Sequence, residues 1–200
     1  MVKGSLVLLG AFALGVLAGW MRLLPADFLQ AGYEIYVLFA LLACVGMGIG
    51  ADKRSVQGLL RMNIPGLLLP ATVVAGSLLG AGVVAVIFDI GGIREGLAVG
   101  AGFGYYSLSS IMITQLHGEE LGVIALLSNV FREVITLALA PVLYRYWGRL
   151  APIACGGATS MDTTLPVIHR LVGTRLSLLS VVNGIVLSLL VPILVPLILA

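Results

Sequence analysis

Charge is what this chain has least of: 9 acidic and 11 basic side chains in 200 residues, 10% of the total, against 60% hydrophobic. Soluble domains usually carry about 25% charged residues, because a globule needs polar groups to cover its surface. A soluble fold is therefore excluded, and the chain reads as an integral membrane protein. Cysteine is scarce too. Cys44 and Cys155 each lie in an apolar stretch without a second ligand-type residue nearby, which argues against a disulfide framework or a metal site and leaves both as packing residues. The Lys and Arg residues form no run, so there is no nucleic-acid footprint and no polybasic lipid patch. Catalytic motifs are missing as well. There is no GxSxG or HExxH, neither histidine has a partner suited to a base, and of the two central aspartates that an intramembrane aspartyl protease would need only Asp162 is found. The expectation is a protein that is not an enzyme and needs no cofactor.

What the chain has in abundance is apolar sequence, with a mean hydropathy of +1.15. A membrane-spanning helix takes about 20 predominantly apolar residues, and on that measure seven segments are expected, at 4–21, 33–50, 65–89, 96–116, 121–147, 151–169 and 175–199. The connections are short, so the expected fold is one all-α polytopic bundle over 1–200, with scaffold helices in 1–95 and the site in 96–200. The N-terminal stretch lacks a polar region ending in a small-residue cleavage site and is read as a retained helix rather than a signal peptide. If every segment crosses, Lys3, Lys53, Arg54, Arg61, Arg170 and Arg175 fall on one side and Arg22, Arg94, Arg145 and Arg149 on the other. That split favours a cytoplasmic N-terminus and an external C-terminus.

Segments 1, 3 and 7 read as scaffold. Gly76, Gly80 and Ala81 in segment 3 have the spacing that lets helix backbones approach closely, and Pro192 and Pro196 are expected to bend the outer half of segment 7. Segments 4 and 6 are different. The first holds Gly96, Gly100, Gly102 and Gly104, then Tyr105, Tyr106, Ser107, Ser109 and Ser110; the second holds Pro152, Gly156, Gly157, Thr159, Ser160, Asp162, Thr163, Thr164 and Pro166. Each is barely long enough to span and is interrupted midway. Interrupted backbone at membrane depth survives only where protein or a wet cavity satisfies its freed N–H and C=O groups, and such segments point to a transporter's midplane site. The alternative is a pair of poor helices packed on their neighbours.

Segment 5 carries Asn129, Arg132 and Glu133 at offsets of 0, 3 and 4, which places them on one helical face together with Leu126 and Thr136. A charge at a helix centre in the bilayer costs about 2.5–3.5 kcal/mol or more, so these residues are functional candidates, with a structural ion network as the alternative. Arg132 is expected to reach backbone carbonyls or a carboxylate, Asp162 among them. Asp162, beside Thr159, Ser160 and Thr163, offers oxygen ligands around one negative charge and suits a cation, a proton or an ammonium group. His117, Glu119 and Glu120 read as a solvated loop, and His169 with Arg170 as an interfacial end. Asn183 is open between a helix-to-helix hydrogen bond and a ligand role.

At these residues the chain resembles the lysine exporter family LysO. The likeness is carried by "GFGYYSLSS" (102–110), "NVFREVITLALAP" (129–141), "CGGATSMDTTLPVI" (155–168) and "NGIVLSLLVPILVP" (183–196), and it is densest from about residue 98 to 196. The resemblance implies an inner-membrane exporter of L-lysine or a related cationic amino acid, built like the sodium/proton antiporters and bile-acid symporters with inverted repeats and crossed broken helices. It implies proton-coupled antiport, with Na⁺ as the other candidate ion, and Asp162 alternating between proton and substrate ammonium while Glu133 and Arg132 tune the exchange. Asn129, Tyr106, Ser107 and Ser109 complete the expected site. Family members run to about 300 residues, so the chain matches roughly their C-terminal two-thirds and would lack about three N-terminal helices. Either a separately encoded three-helix subunit supplies them or the chain is a shortened relative; a homo-oligomer is the other assembly expected. The competing reading is a pore- or carrier-forming subunit for another small cation that needs a partner chain.

Overall fold

The computed structural model describes residues 64–88 and 91–200, with scattered single positions before residue 64 on which nothing below rests. The expected spans at 4–21 and 33–50, and Cys44, therefore lie outside the described residues. Every described element is helical. They are α1 (Ile64–Phe88), α2 (Ile93–Gly100), α3 (Tyr106–His117), α4 (Glu119–Trp147), α5 (Ala151–Gly156), a 3₁₀ turn (Gly157–Met161) and α6 (Leu165–Leu199).

Three stretches are long and apolar enough to cross a membrane: Leu68–Phe88, Glu119–Trp147 and Leu176–Leu199. They differ in what surrounds them. Half of the most apolar window of the last is buried, against 11% of the first, so α6 is the inner helix of the described bundle and α1 an outer one. Large apolar side chains such as Leu79, Val86, Ile87 and Phe88 on α1 face outward, as lipid permits. The apolar core instead gathers Phe103, Leu108, Ile113, Ile153, Ile168, Leu187, Val191 and Val195.

The remaining helices are short. At about 1.5 Å per residue, α2 with 8 residues and α3 with 12 reach only about 12 and 18 Å, and neither crosses a hydrocarbon core of about 30 Å alone. Gly118, with φ of +102°, reverses the chain between α3 and α4, so those two pack as an antiparallel pair. Their turn carries His117, Glu119 and Glu120, all exposed. His117 Nε2 lies 3.4 Å from Glu95 Oε1 of α2, a contact that the solvated-loop reading did not include. α6 contains one sharp break at Gly173, with φ of +79°, and then runs on through Pro192 and Pro196. The break folds His169 back so that its Nδ1 lies 2.8 Å from Ser177 Oγ.

Small residues set the closest approaches, but not at all the positions that the sequence suggested. A Cβ on Gly76 or Gly80 would meet nothing among the described residues. The tight contact is made from the other side. A Cβ on Gly96 would strike Ala85, and one on Gly100 would strike Ala81 and the Ser77 carbonyl. It is therefore the glycines of α2, seated on the alanines of α1, that bring those two helices together.

Candidate functional site

α4 is 29 residues long and Arg132 is near its midpoint, about 20 Å along the axis from either end. Two interruptions in the helical backbone converge at this level. The first, 101–105, lies between α2 and α3. Phe103 has φ of +48° and Gly104 φ of +97°. A bulky residue in the left-handed region is an outlier that costs about 1–3 kcal/mol and persists only where its surroundings hold it. Phe103 is fully buried, and two contacts hold the turn. Gly104 N donates to Asn129 Oδ1 at 2.7 Å, and Phe103 O accepts from Ala158 N at 2.8 Å.

That second bond joins the first interruption to the other, which runs from Gly157 to Thr164 between α5 and α6. Gly157, at φ of +61°, is needed for its conformation and for space, because a Cβ there would run into Phe103 O. Three hydroxyls of this stretch turn inward and satisfy carbonyls of 156–159. Thr159 Oγ1 donates to Gly156 O at 2.9 Å, Ser160 Oγ to Gly157 O at 2.7 Å, and Thr164 Oγ1 to Thr159 O at 3.0 Å. α6 closes the other side. Ser160 Oγ also reaches Ser180 O at 3.0 Å while Ser180 Oγ donates to Ser160 O at 2.7 Å, and Asn183 Nδ2 donates to Gly157 O at 3.2 Å. Asn183 Oδ1 and Ser188 Oγ are buried and have no partner among the described residues.

The inward face of α4 matches the sequence pattern at Asn129 and Thr136, which are buried. Arg132 and Glu133 are half-buried and Leu126 is exposed. Of the two fates open to Arg132, the structure shows the carbonyls. Nε donates to Cys155 O at 2.8 Å and Nη2 to Ala154 O at 3.1 Å, at the C-terminal end of α5, where the helix dipole presents its negative pole. Nη1 donates to Ser77 Oγ of α1 at 2.9 Å. Asp162 does not pair with it.

Asp162 is exposed, and its Oδ1 accepts from Thr163 N at 2.6 Å and Thr163 Oγ1 at 3.3 Å. Thr159 and Ser160, expected to stand around the carboxylate, are buried on the inner side of the turn, so only Thr163 joins it. Tyr105 and Tyr106 are half-buried where the first interruption passes into α3. Ser109 Oγ donates to Tyr105 O and sits 3.5 Å from Asn129 Nδ2, which ties it to the first interruption, while Ser107 is half-buried at the start of α3. No group of three or more His, Cys, Asp or Glu side chains could hold a metal among the described residues. Sequence reading missed Phe103, Ser77 and Ser180. Phe103 was signalled only by its two flanking glycines, and Ser77 by being a hydroxyl in an otherwise apolar helix.

An integral membrane protein in which short helices meet at the middle of a long one is the class that this arrangement defines. Comparison with known proteins places it further. The family described as lysine exporter LysO matches residues 9–199, and the chain belongs to that family, which is one of transporters and not of enzymes. It is 35% identical over 189 residues to a putative lysine exporter of Haemophilus influenzae, covering 94% of each chain. It is 37% identical over 197 residues to the lysine exporter LysO of Escherichia coli, covering 98% of this chain and 64% of that protein. No solved structure matches.

Proposed function

We propose that the chain is a secondary transporter that exports L-lysine or a closely related cationic amino acid across the cytoplasmic membrane, in exchange for protons. One observation above all supports this: two interrupted segments bond to each other through Phe103 O and Ala158 N at the midpoint of α4. In this reading segments 4 and 6 are the crossed broken helices of an antiporter- or symporter-like inverted-repeat bundle, with the N-terminus inside and the C-terminus outside. Asp162 is the exchanging carboxylate, free of any cationic partner among the described residues and open to a proton or an ammonium group. Glu133, Tyr106 and Ser107 are its assigned companions in the site, with Thr163 hydrogen-bonded to it. Asn129, Ser109, Thr159 and Ser160 act on the site by holding the interruptions. Either H⁺ or Na⁺ satisfies a carboxylate beside hydroxyls, and H⁺ accords with the family reading. A separately encoded three-helix subunit completes the carrier in one version of this reading, since the chain covers 64% of the E. coli relative, and a homo-oligomer is the other assembly proposed.

The test is lysine efflux from proteoliposomes containing this chain, with imposed proton or sodium gradients and with the Asp162→Asn variant. Efflux that follows the proton gradient and is lost in the variant, while the protein remains inserted and folded, is the expected outcome. Removing a charge eases burial, so insertion should not suffer. Lysine flux that Asp162→Asn leaves unchanged would remove the carboxylate from the mechanism. Flux that appears only with a partner chain would favour the subunit reading.

A further inference from the structure

A cavity of about 380 Å³ lies among α1, α2 and α4, and its lining includes Ser77, Gly80, Gly96, Gly100, Ser128 and Arg132. Its size falls within the range of about 300–1,000 Å³ typical of small-molecule sites. The walls are fixed by the close seating of Gly96 and Gly100 on α1, whereas Gly80 leaves space open among the described residues. The polar groups on its lining are unusual in sign. A guanidinium has five N–H donors, and Arg132 spends one on Cys155 O, one on Ala154 O and one on Ser77 Oγ, which leaves one on each terminal nitrogen. Ser77 receives a hydrogen bond from Arg132, and its own O–H has no acceptor among the described residues. Ser128 is exposed on the same lining, one turn before Arg132. No carboxylate pairs with Arg132 among the described residues, and Glu133 projects about 100° away around the helix. A net-positive set of donors at membrane depth, lacking an anion among the described residues, is an incomplete site, because a charge held away from water without a counter-charge is costly.

We infer that this cavity binds a carboxylate, with the free edge of Arg132, the Ser77 hydroxyl and the Ser128 hydroxyl as its donors, and that in transport it receives the α-carboxylate of the amino-acid substrate. The inference rests on the lysine reading above and adds a site for the other end of the molecule. Arginine suits this role because its fork of donors matches a carboxylate. The two anchors on Cys155 and Ala154 hold that fork in place before substrate arrives.

The experiment is calorimetric titration of the purified full chain with L-lysine, with 1,5-diaminopentane, which is lysine without its carboxylate, and with sodium chloride. Wild type is expected to bind lysine at least tenfold more tightly than the diamine. Ser77→Ala combined with Ser128→Ala is expected to remove most of that preference and leave diamine affinity within about twofold. Ser128→Ala alone, at an exposed position, keeps the comparison open if the double variant melts early, and should reduce the preference several-fold. Equal binding of lysine and diamine by wild type would overturn the carboxylate site and leave the transporter reading standing. Failure of both amines to bind would overturn the two together. Chloride binding that the serine variants weaken, without a preference for lysine, would replace the inference with an inorganic-anion site.

Discussion

The two interruptions solve the same problem in opposite ways. In the first, 101–105, the freed backbone is held from outside: Asn129 takes the Gly104 N–H, and its own Nδ2 returns to Ala125 O at 2.8 Å on α4. In the second, Gly157 to Thr164, three hydroxyls of the segment seal the carbonyls of Gly156, Gly157 and Thr159, and Ser180 and Asn183 of α6 add a second layer. A backbone group at membrane depth has no water to fall back on, so each must find a partner in protein. A segment rich in Ser and Thr carries its partners with it, whereas a segment rich in Gly has to borrow one. The first turn therefore depends on one side-chain amide and on the Ala158 N–H, and the second spreads its dependence over several groups.

Substitutions can break that comparison, and the largest effect is expected where the two turns touch. Gly157→Ala places a Cβ on Phe103 O at a left-handed backbone position, and a loss of about 3 kcal/mol or more is expected from strain and overpacking together. Thermal melting in detergent would register it, and a melting temperature close to wild type would mean that the two turns are not rigidly joined. Asn129→Ala comes next. It leaves the Gly104 N–H without its acceptor, at about 1–3 kcal/mol, and hydrogen exchange should quicken at Gly104 before it does at Ala158. Ser180→Ala should cost less, about 0.6 kcal/mol, because the Ser160 hydroxyl keeps its acceptors, the Gly157 and Ser180 carbonyls that share its one O–H. If Ser180→Ala proves more damaging than Asn129→Ala, the contrast between a borrowed and a distributed seal is wrong. Gly76→Ala is the control. With open space around it among the described residues, the change should stay within about 0.5 kcal/mol of wild type.

Much of this site could be read before any coordinates. Clustered Gly, Ser and Thr marked both interruptions because such residues free or satisfy backbone groups, and the offsets of Asn129, Arg132 and Glu133 placed them together on one helix face. The orientation of the second turn was not readable. Thr159 and Ser160 precede Asp162 closely in the chain, yet a 3₁₀ turn sends their hydroxyls inward and the carboxylate outward. Neither was the destination of Arg132. A carboxylate and a helix C-terminus are both negative, and only the seating of α5 against α4 chose the carbonyls of Ala154 and Cys155.

The sequence alone determined that the chain belongs in a membrane, since 10% charge cannot solvate a globule of this length, and it determined which segments cannot remain regular helices. Tertiary structure decided which groups those segments use for support: Phe103 O for Ala158 N, Asn129 for Gly104, and Ser77 for the third arm of Arg132. The reason is physical. Apolarity and helix breaking are properties of neighbouring residues, whereas a hydrogen bond across 25 or 55 positions of chain depends on how helices seat against one another, and that is fixed by close contacts such as Gly100 on Ala81.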